Sequence, residues 1–163
     1  MPYQAYIGIG SNLGKKKENY LEALTRIAKI PDTRITRESS LYESEPWGDS
    51  KEWYVNGVIQ IETELGPEML LKKFKNIERA MGRKKVRKRW AARVIDIDIL
   101  LLDGLVLEKR SLKVPHPEMH RRKFVLIPLS EIAPQLIHPV LGKTISELLV
   151  SVKDDKKVSL MRS

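Results

Sequence analysis

Cysteine is absent from the 163-residue chain. That removes disulfide bonds, thiolate metal sites and cysteine nucleophiles together, and it fits a cytoplasmic protein. Long apolar runs are absent too: nothing approaches the roughly eighteen consecutive apolar residues that suggest a membrane-spanning helix. The opening Met1-Pro2-Tyr3-Gln4 lacks a basic segment followed by an apolar one, so no secretory leader is expected. Internal repeats and low-complexity segments are missing. Against these absences, 42% apolar and 31% charged residues make an ordinary globular composition, and the length suits a single domain over residues 1–163. Beyond Leu149 the chain turns rich in Lys, Asp and Ser, and roughly the last dozen residues are expected to fray.

Two familiar phosphate-binding signatures also fail. Gly8-Ile9-Gly10-Ser11-Asn12-Leu13-Gly14-Lys15-Lys16 invites comparison with a P-loop, but its glycines are wrongly spaced and Lys16 stands where the hydroxyl belongs. The dinucleotide fingerprint fails because its third glycine would fall at Leu13. These glycines read as a strand-to-helix turn.

What the sequence has in excess is positive charge, a formal +9 at neutral pH, which asks for an anionic partner or a basic patch. Lys84, Lys85, Arg87, Lys88, Arg89 and Arg93 crowd one segment, and Arg121, Arg122 and Lys123 form a second. A charge run can be a solvated loop, but the first leads directly into residues 94–102, whose β-branched and nearly continuous apolar character predicts a strand. In that strand Asp96 and Asp98 share a face, roughly 6–7 Å apart at the backbone. Ile95, Ile97 and Ile99 take the other face, and Leu100 and Leu102 are expected to continue the carboxylate face as apolar. A solvated face of an edge strand is one reading. The other is a hard divalent cation between two like charges that would otherwise repel, with guanidinium groups beside it to grip phosphate. That combination points to metal-assisted phosphoryl chemistry.

The remaining pattern gives an order of elements. Residues 4–10 read as a first strand, and Tyr20, Leu21, Leu24, Ile27 and Ala28 recur at helical spacing before Pro31. Residues 33–40 and 53–63 read as two further strands, with the 45–50 loop between them. Gly66-Pro67 opens a helix lined by Leu70, Phe74, Ile77 and Met81 and closed by Gly82. The carboxylate strand follows, with Asp103-Gly104 turning into a hairpin strand at 105–107. Strand, helix, strand, strand, helix, strand is the ferredoxin-like βαββαβ arrangement, an α+β sandwich with one mainly antiparallel sheet, packed helices and an extra hairpin. Further on, His116 and His120 are four apart, but Pro117 lies between them and no His-Glu-x-x-His motif is present. His116 with Arg121 or Arg122 suits phosphate better than zinc, and His138 reads as structural.

Taken together, Ala5-Tyr6-Ile7-Gly8-Ile9-Gly10-Ser11-Asn12-Leu13, Arg93-Val94-Ile95-Asp96-Ile97-Asp98-Ile99-Leu100 and Val114-Pro115-His116-Pro117 with residues up to Phe124 resemble the 6-hydroxymethyl-7,8-dihydropterin pyrophosphokinases of folate biosynthesis. The likeness covers roughly residues 3–149. It implies pyrophosphate transfer from ATP to the pterin hydroxymethyl group with release of AMP. Carried over by position, Asp96 and Asp98 would bind two Mg²⁺ ions, and Arg83, Arg93, His116 and Arg122 would contact phosphate. Glu78, Trp90 and Ile99 fall where the family contacts the nucleotide. Ser44, Pro46, Trp47, Tyr54, Asn56 and Phe124 match the pterin pocket, with Tyr54 and Phe124 as stacking faces. The expected partners are these two small molecules, with neither nucleic acid nor membrane, and the expected state is a monomer. Three departures stand out: Ala91-Ala92 where Gly-Pro is common, Lys75 where Gln is frequent, and Pro117 in place of an aromatic. Two rivals share parts of the pattern. An RNA-recognition module has the same element order, but its aromatic signature is missing from residues 53–60. A metal-dependent phosphodiesterase could use the same carboxylates and would consume no ATP.

Overall fold

The computed structural model describes residues 2–46, 51–82 and 93–162. Strand β1 (Tyr3–Ser11) leads into helix α1 (Lys16–Ala28), then β2 (Thr33–Glu38), β3 (Tyr42–Ser44) and β4 (Tyr54–Thr63). Helix α2 (Pro67–Ala80) precedes β5 (Asp96–Leu102), the short strands β6 (Leu107–Glu108) and β7 (Lys113–Val114), and a 3-10 turn at Met119–Arg121. Helices α3 (Lys123–Ile132) and α4 (Ile145–Ser151) follow, and β8 (Val158–Leu160) comes last. The main sheet is antiparallel in order β5-β1-β4-β3-β8, with β2 also on β4, so the βαββαβ core is the expected one. Among the described residues no helix is long and apolar enough to cross a membrane.

Two apolar layers hold the sheet. Alternate residues of β1, β4 and β5 (Ile7, Ile9, Ile59, Ile61, Ile97, Ile99) meet Tyr20 and Ile27 of α1 and Leu70 and Phe74 of α2. Leu21, expected on the buried stripe of α1, is 47% exposed instead. The opposite face carries Tyr6, Val58, Leu100 and Leu101 against Val125, Leu126 and Leu129 of α3 and Leu148 of α4. Burial of this kind is the main stabilising term of the fold.

The strands and their turns also differ from the sequence reading. In β5, Leu101 joins Leu100 on the α3 face and Leu102 returns to the α1–α2 face. The cause is a bulge: Ile7 pairs with Ile99 and Tyr6 with Leu101, so Leu100 has no opposite number and the alternation slips by one. The expected 33–40 strand breaks because Ser39 Oγ, not a carbonyl, accepts the Val58 N–H (2.9 Å); β3 then resumes along the same edge of β4. The Asp103-Gly104 turn forms, with Asp103 at φ 50° and Leu105 N–H on Leu102 O, but β6 pairs with β7 as a separate ribbon and not with β5. The expected fraying does not extend over β8, which pairs residue by residue with β3.

Candidate active site

A cavity of about 220 Å³ opens on the α3 side of the sheet, at the end where β1, β4 and β5 run side by side. Its floor follows from strand register. Asp96 lies opposite Gly10, which lies opposite Asn56 on the far side; Asp98 lies opposite Gly8, which lies opposite Val58. Cross-strand neighbours sit about 5 Å apart, so a side chain at either glycine would fill the space in front of a carboxylate. The glycines are therefore not the strand-to-helix turn that their spacing suggested, a role kept only by Gly14 at φ 74°. A β-carbon on Gly10 would come within 3.2 Å of the Tyr54 ring, so the missing side chain also lets that ring lie against β1. The edge-strand reading of Asp-x-Asp is correct about position, since β5 ends the sheet, but both carboxylates line this cavity.

One wall carries two guanidinium groups and an imidazole. Arg93, His116 and Arg122 all line the cavity. The Arg93 backbone is clamped by Asn12: its N–H donates to Asn12 Oδ1 (2.6 Å), and the Asn12 N–H donates back to Arg93 O (3.1 Å). Asn12 is fully buried, and the clamp aims the Arg93 side chain at Asp96, Nη1 to Oδ1 3.3 Å. His116 is anchored by its N–H on Leu100 O (2.9 Å), and its Nδ1 accepts the Glu118 N–H (3.1 Å). Burial, with the Arg122 guanidinium adding to it, drives the His116 pKa down to about 4 against a smaller opposing pull from Glu118. A neutral imidazole whose Nδ1 accepts a hydrogen bond must carry its proton on Nε2. The Arg122 guanidinium in turn stands 5.7 Å from the centre of the Phe124 ring, a cation–π contact.

The other end holds an oriented amide and two aromatic rings. Ser44 Oγ donates to Asn56 Oδ1 (2.7 Å), and Asn56 Nδ2 donates to Phe124 O (2.8 Å). These two bonds orient the buried amide and leave it one further N–H and one further lone pair. Tyr54 and Phe124 line the same cavity.

Other expected residues are placed differently. Glu78 is 1% exposed and does not line the cavity; it accepts the outward-facing Ile97 N–H of β5 (2.8 Å) and pairs with Lys75 (3.5 Å), which does line it. The Ile99 side chain is in the α1–α2 core, and Pro46 is buried beside the cavity-lining Glu45. Arg83, Trp90 and Trp47, the basic run and Ala91-Ala92 lie outside the described residues. His138 is structural as expected: its Nδ1 accepts the N–H groups of Val140 and Leu141. Among the described residues no group of three or more His, Cys, Asp or Glu could hold a metal ion. Sequence reasoning missed Gly8, Gly10 and Asn12. The available signal was the two-residue spacing of the glycines, which matches that of Asp96 and Asp98.

The sequence pattern of the family described as 7,8-dihydro-6-hydroxymethylpterin-pyrophosphokinase matches residues 6–134. The chain is 41% identical over 150 residues to the 2-amino-4-hydroxy-6-hydroxymethyldihydropteridine pyrophosphokinase of Methylorubrum extorquens, covering 91% of this chain and 93% of that one. It is 41% identical over 157 residues to the protein of the same description from Haemophilus influenzae, covering 96% and 97%. Among solved structures, an HPPK-DHPS in complex with substrates superposes with a TM-score of 0.75 at 14% identity, over 92% of this chain and 43% of that one. A Plasmodium falciparum HPPK-DHPS superposes at 0.71 and 16% identity, over 92% and 44%. At those identities the superpositions speak for the fold alone, and this chain spans less than half of either.

Proposed function

The chain belongs to the 7,8-dihydro-6-hydroxymethylpterin-pyrophosphokinase family, and on that premise we propose that it moves pyrophosphate from ATP to the hydroxymethyl group of 6-hydroxymethyl-7,8-dihydropterin, releasing AMP, in folate biosynthesis. The observation that carries the proposal is the pair of rows Asp96–Gly10–Asn56 and Asp98–Gly8–Val58. They set two carboxylates and an oriented amide on one cavity floor, with Arg93, His116 and Arg122 on the wall.

Asp96 and Asp98 suit a hard divalent cation, because they offer oxygen ligands alone and no third carboxylate, imidazole or thiolate joins them among the described residues. Mg²⁺ prefers that situation, completing its shell with water and substrate phosphates. The two carboxylates would hold two Mg²⁺ ions, whose chemistry is neutralisation of charge across the triphosphate. The chain's own groups do the rest. Arg93, aimed by Asn12, and Arg122 bind phosphate oxygens, and the neutral His116 offers them the Nε2 proton. Asn56 reads the pterin edge with its remaining donor and acceptor, and Tyr54 and Phe124 hold the ring. The hydroxymethyl oxygen attacks the β-phosphorus as the bond to the α-phosphate oxygen breaks. Its proton leaves to water, and AMP departs with the electron pair. No covalent enzyme intermediate is needed, so catalysis is alignment and charge stabilisation. Arg83, Trp90 and Trp47, with Glu78, Ile99 and Pro46, enter the proposal through the resemblance. A cytoplasmic enzyme working as a monomer on two small molecules completes it.

The test is incubation with ATP, Mg²⁺ and the pterin, followed by separation of the nucleotides. One AMP per pterin consumed is expected. ADP with a monophosphorylated pterin would end the proposal.

A further inference from the structure

We infer that the segment from Asp154 to Met161 is a strap tying together the two walls of the pterin end of the cavity, with Asp154 as its positioning residue. The inference rests on the reading of the Ser44–Asn56–Phe124 end as the pterin pocket.

Helix α3 starts at Lys123, between the cavity residues Arg122 and Phe124. Its own N-cap residue, Arg122, makes no side-chain cap. The cap comes from 31 residues away: Asp154 Oδ2 accepts the Lys123 N–H (2.9 Å). Asp154 Oδ1 accepts the Lys156 N–H (3.0 Å), so the carboxylate is held by a turn of its own chain. A carboxylate there satisfies one of the orphan N–H groups of a helix start and suits its partial positive charge.

From that turn the segment crosses to the opposite wall. Glu45 N–H donates to Lys157 O (2.9 Å), and Lys157 N–H donates to Glu45 Oε1 (3.0 Å). Strand β8 then pairs with β3 from Ser44 to Tyr42, and Met161 N–H reaches Leu41 O (2.9 Å). Strand β3 has three residues, and one of them is the Ser44 that orients Asn56. The second bond on Asn56 goes to Phe124 O, in the first turn of α3. Both bonds that orient the amide thus start from elements that the strap holds. The carboxylates on β5 and the Asn12–Arg93 clamp are held instead by the pairing of β5 with β1, at the other side of the sheet from β8. The strap also lies beyond residue 134, where the match to the family pattern ends. Loosening it should therefore weaken pterin binding more than ATP binding, which it reaches through Arg122 alone while Arg93 stays clamped by Asn12.

The experiment compares steady-state kinetics of the full chain with Asp154→Ala, Asp154→Asn and a chain lacking residues 156–163. Loss of a cap predicts a rise in pterin KM of about fivefold for Asp154→Ala, with a smaller rise, about twofold, in ATP KM through Arg122. Asp154→Asn keeps one acceptor and should recover most of that rise, whereas the shortened chain should show at least the rise of Asp154→Ala. An unchanged pterin KM in Asp154→Ala, or an equal rise for both substrates, overturns the inference. Should the parent chain form no AMP, the functional reading falls instead. The strap is then judged by amide hydrogen exchange at Lys123 and Phe124, which Asp154→Ala must accelerate about fivefold without affecting α1. Unchanged exchange there refutes it independently of the substrate.

Discussion

Lowering the pH should unload a specific part of the stability, and His116 is the group that does it. In the unfolded chain its imidazole titrates at the ordinary 6.5; in the fold it titrates at about 4. As pH falls through 6.5 the unfolded state takes up a proton that the folded state refuses, so folding is penalised. The contribution is complete above about pH 6.5 and is lost progressively down to about pH 4. Integrated from pH 7 to pH 5, those two pKa values give at most about 2 kcal/mol, and partial solvent access makes about 1–2 kcal/mol the working figure. The cost is local: a charged imidazole must place a proton on Nδ1, facing the Glu118 N–H that it now accepts. The assay is urea unfolding of the parent and His116→Asn at both pH values, since asparagine offers that N–H a neutral acceptor and has no proton to gain. The parent should lose about 1–2 kcal/mol more than the variant on acidification. Equal losses, or a His116 midpoint near 6.5 by NMR in the ligand-free protein, would refute both the buried neutral imidazole and its role as an Nε2 donor.

Two further outcomes follow from packing and from the cavity floor. A β-carbon on Gly57 would lie 2.4 Å from Tyr20 Oη and 2.9 Å from Ser39 Oγ, so Gly57→Ala should cost about 3 kcal/mol by chemical denaturation. Among the described residues Tyr20 Oη makes no hydrogen bond of good geometry, so Tyr20→Phe should be tolerated alone and restore part of the loss in the double variant. An undamaged Gly57→Ala, or no recovery in the double, would show that β4 yields there at no cost. Asp96→Asn and Asp98→Asn should each lower turnover by roughly 100-fold or more while stability stays within about 1 kcal/mol, since asparagine keeps the side-chain volume and the pair that Asp96 loses with Arg93 is partly exposed. Turnover near the parent's in either variant would remove that carboxylate from the metal assignment.

How much of this was legible beforehand depends on how far along the chain each feature reaches. The Ile95-Ile97-Ile99 stripe, the Gly66-Pro67 helix start and the Asp96/Asp98 face are set by residues within a few positions of one another, and local periodicity found them. The bulge at Leu100 was not visible, because it exists only in the pairing of β5 with β1. The same holds for Gly8 and Gly10: each is an ordinary glycine until register sets it opposite a carboxylate. Helix α3 gave a weak signal because it contains Pro128, and its start is capped by Asp154 and not by a residue of its own first turn. Strand β8 is short and polar, with nothing to declare it except the open edge of β3. In the site, the charged and aromatic side chains that line the cavity (Asp98, His116, Arg122, Tyr54) stood out by type. Residues that act by aiming others did not, and the bonds concerned are long in sequence: Asn12 to Arg93 over 81 residues, Asn56 to Phe124 over 68. Asn12 shows the difference most clearly. It sits inside the motif that identified the family, yet read locally it was only part of a turn. Its meaning is that a fully buried amide clamps the backbone of an arginine whose guanidinium reaches a carboxylate three residues on. Orientation of the arginine wall is thus encoded in contacts between β1 and the entry to β5, and it becomes readable only when the two are paired.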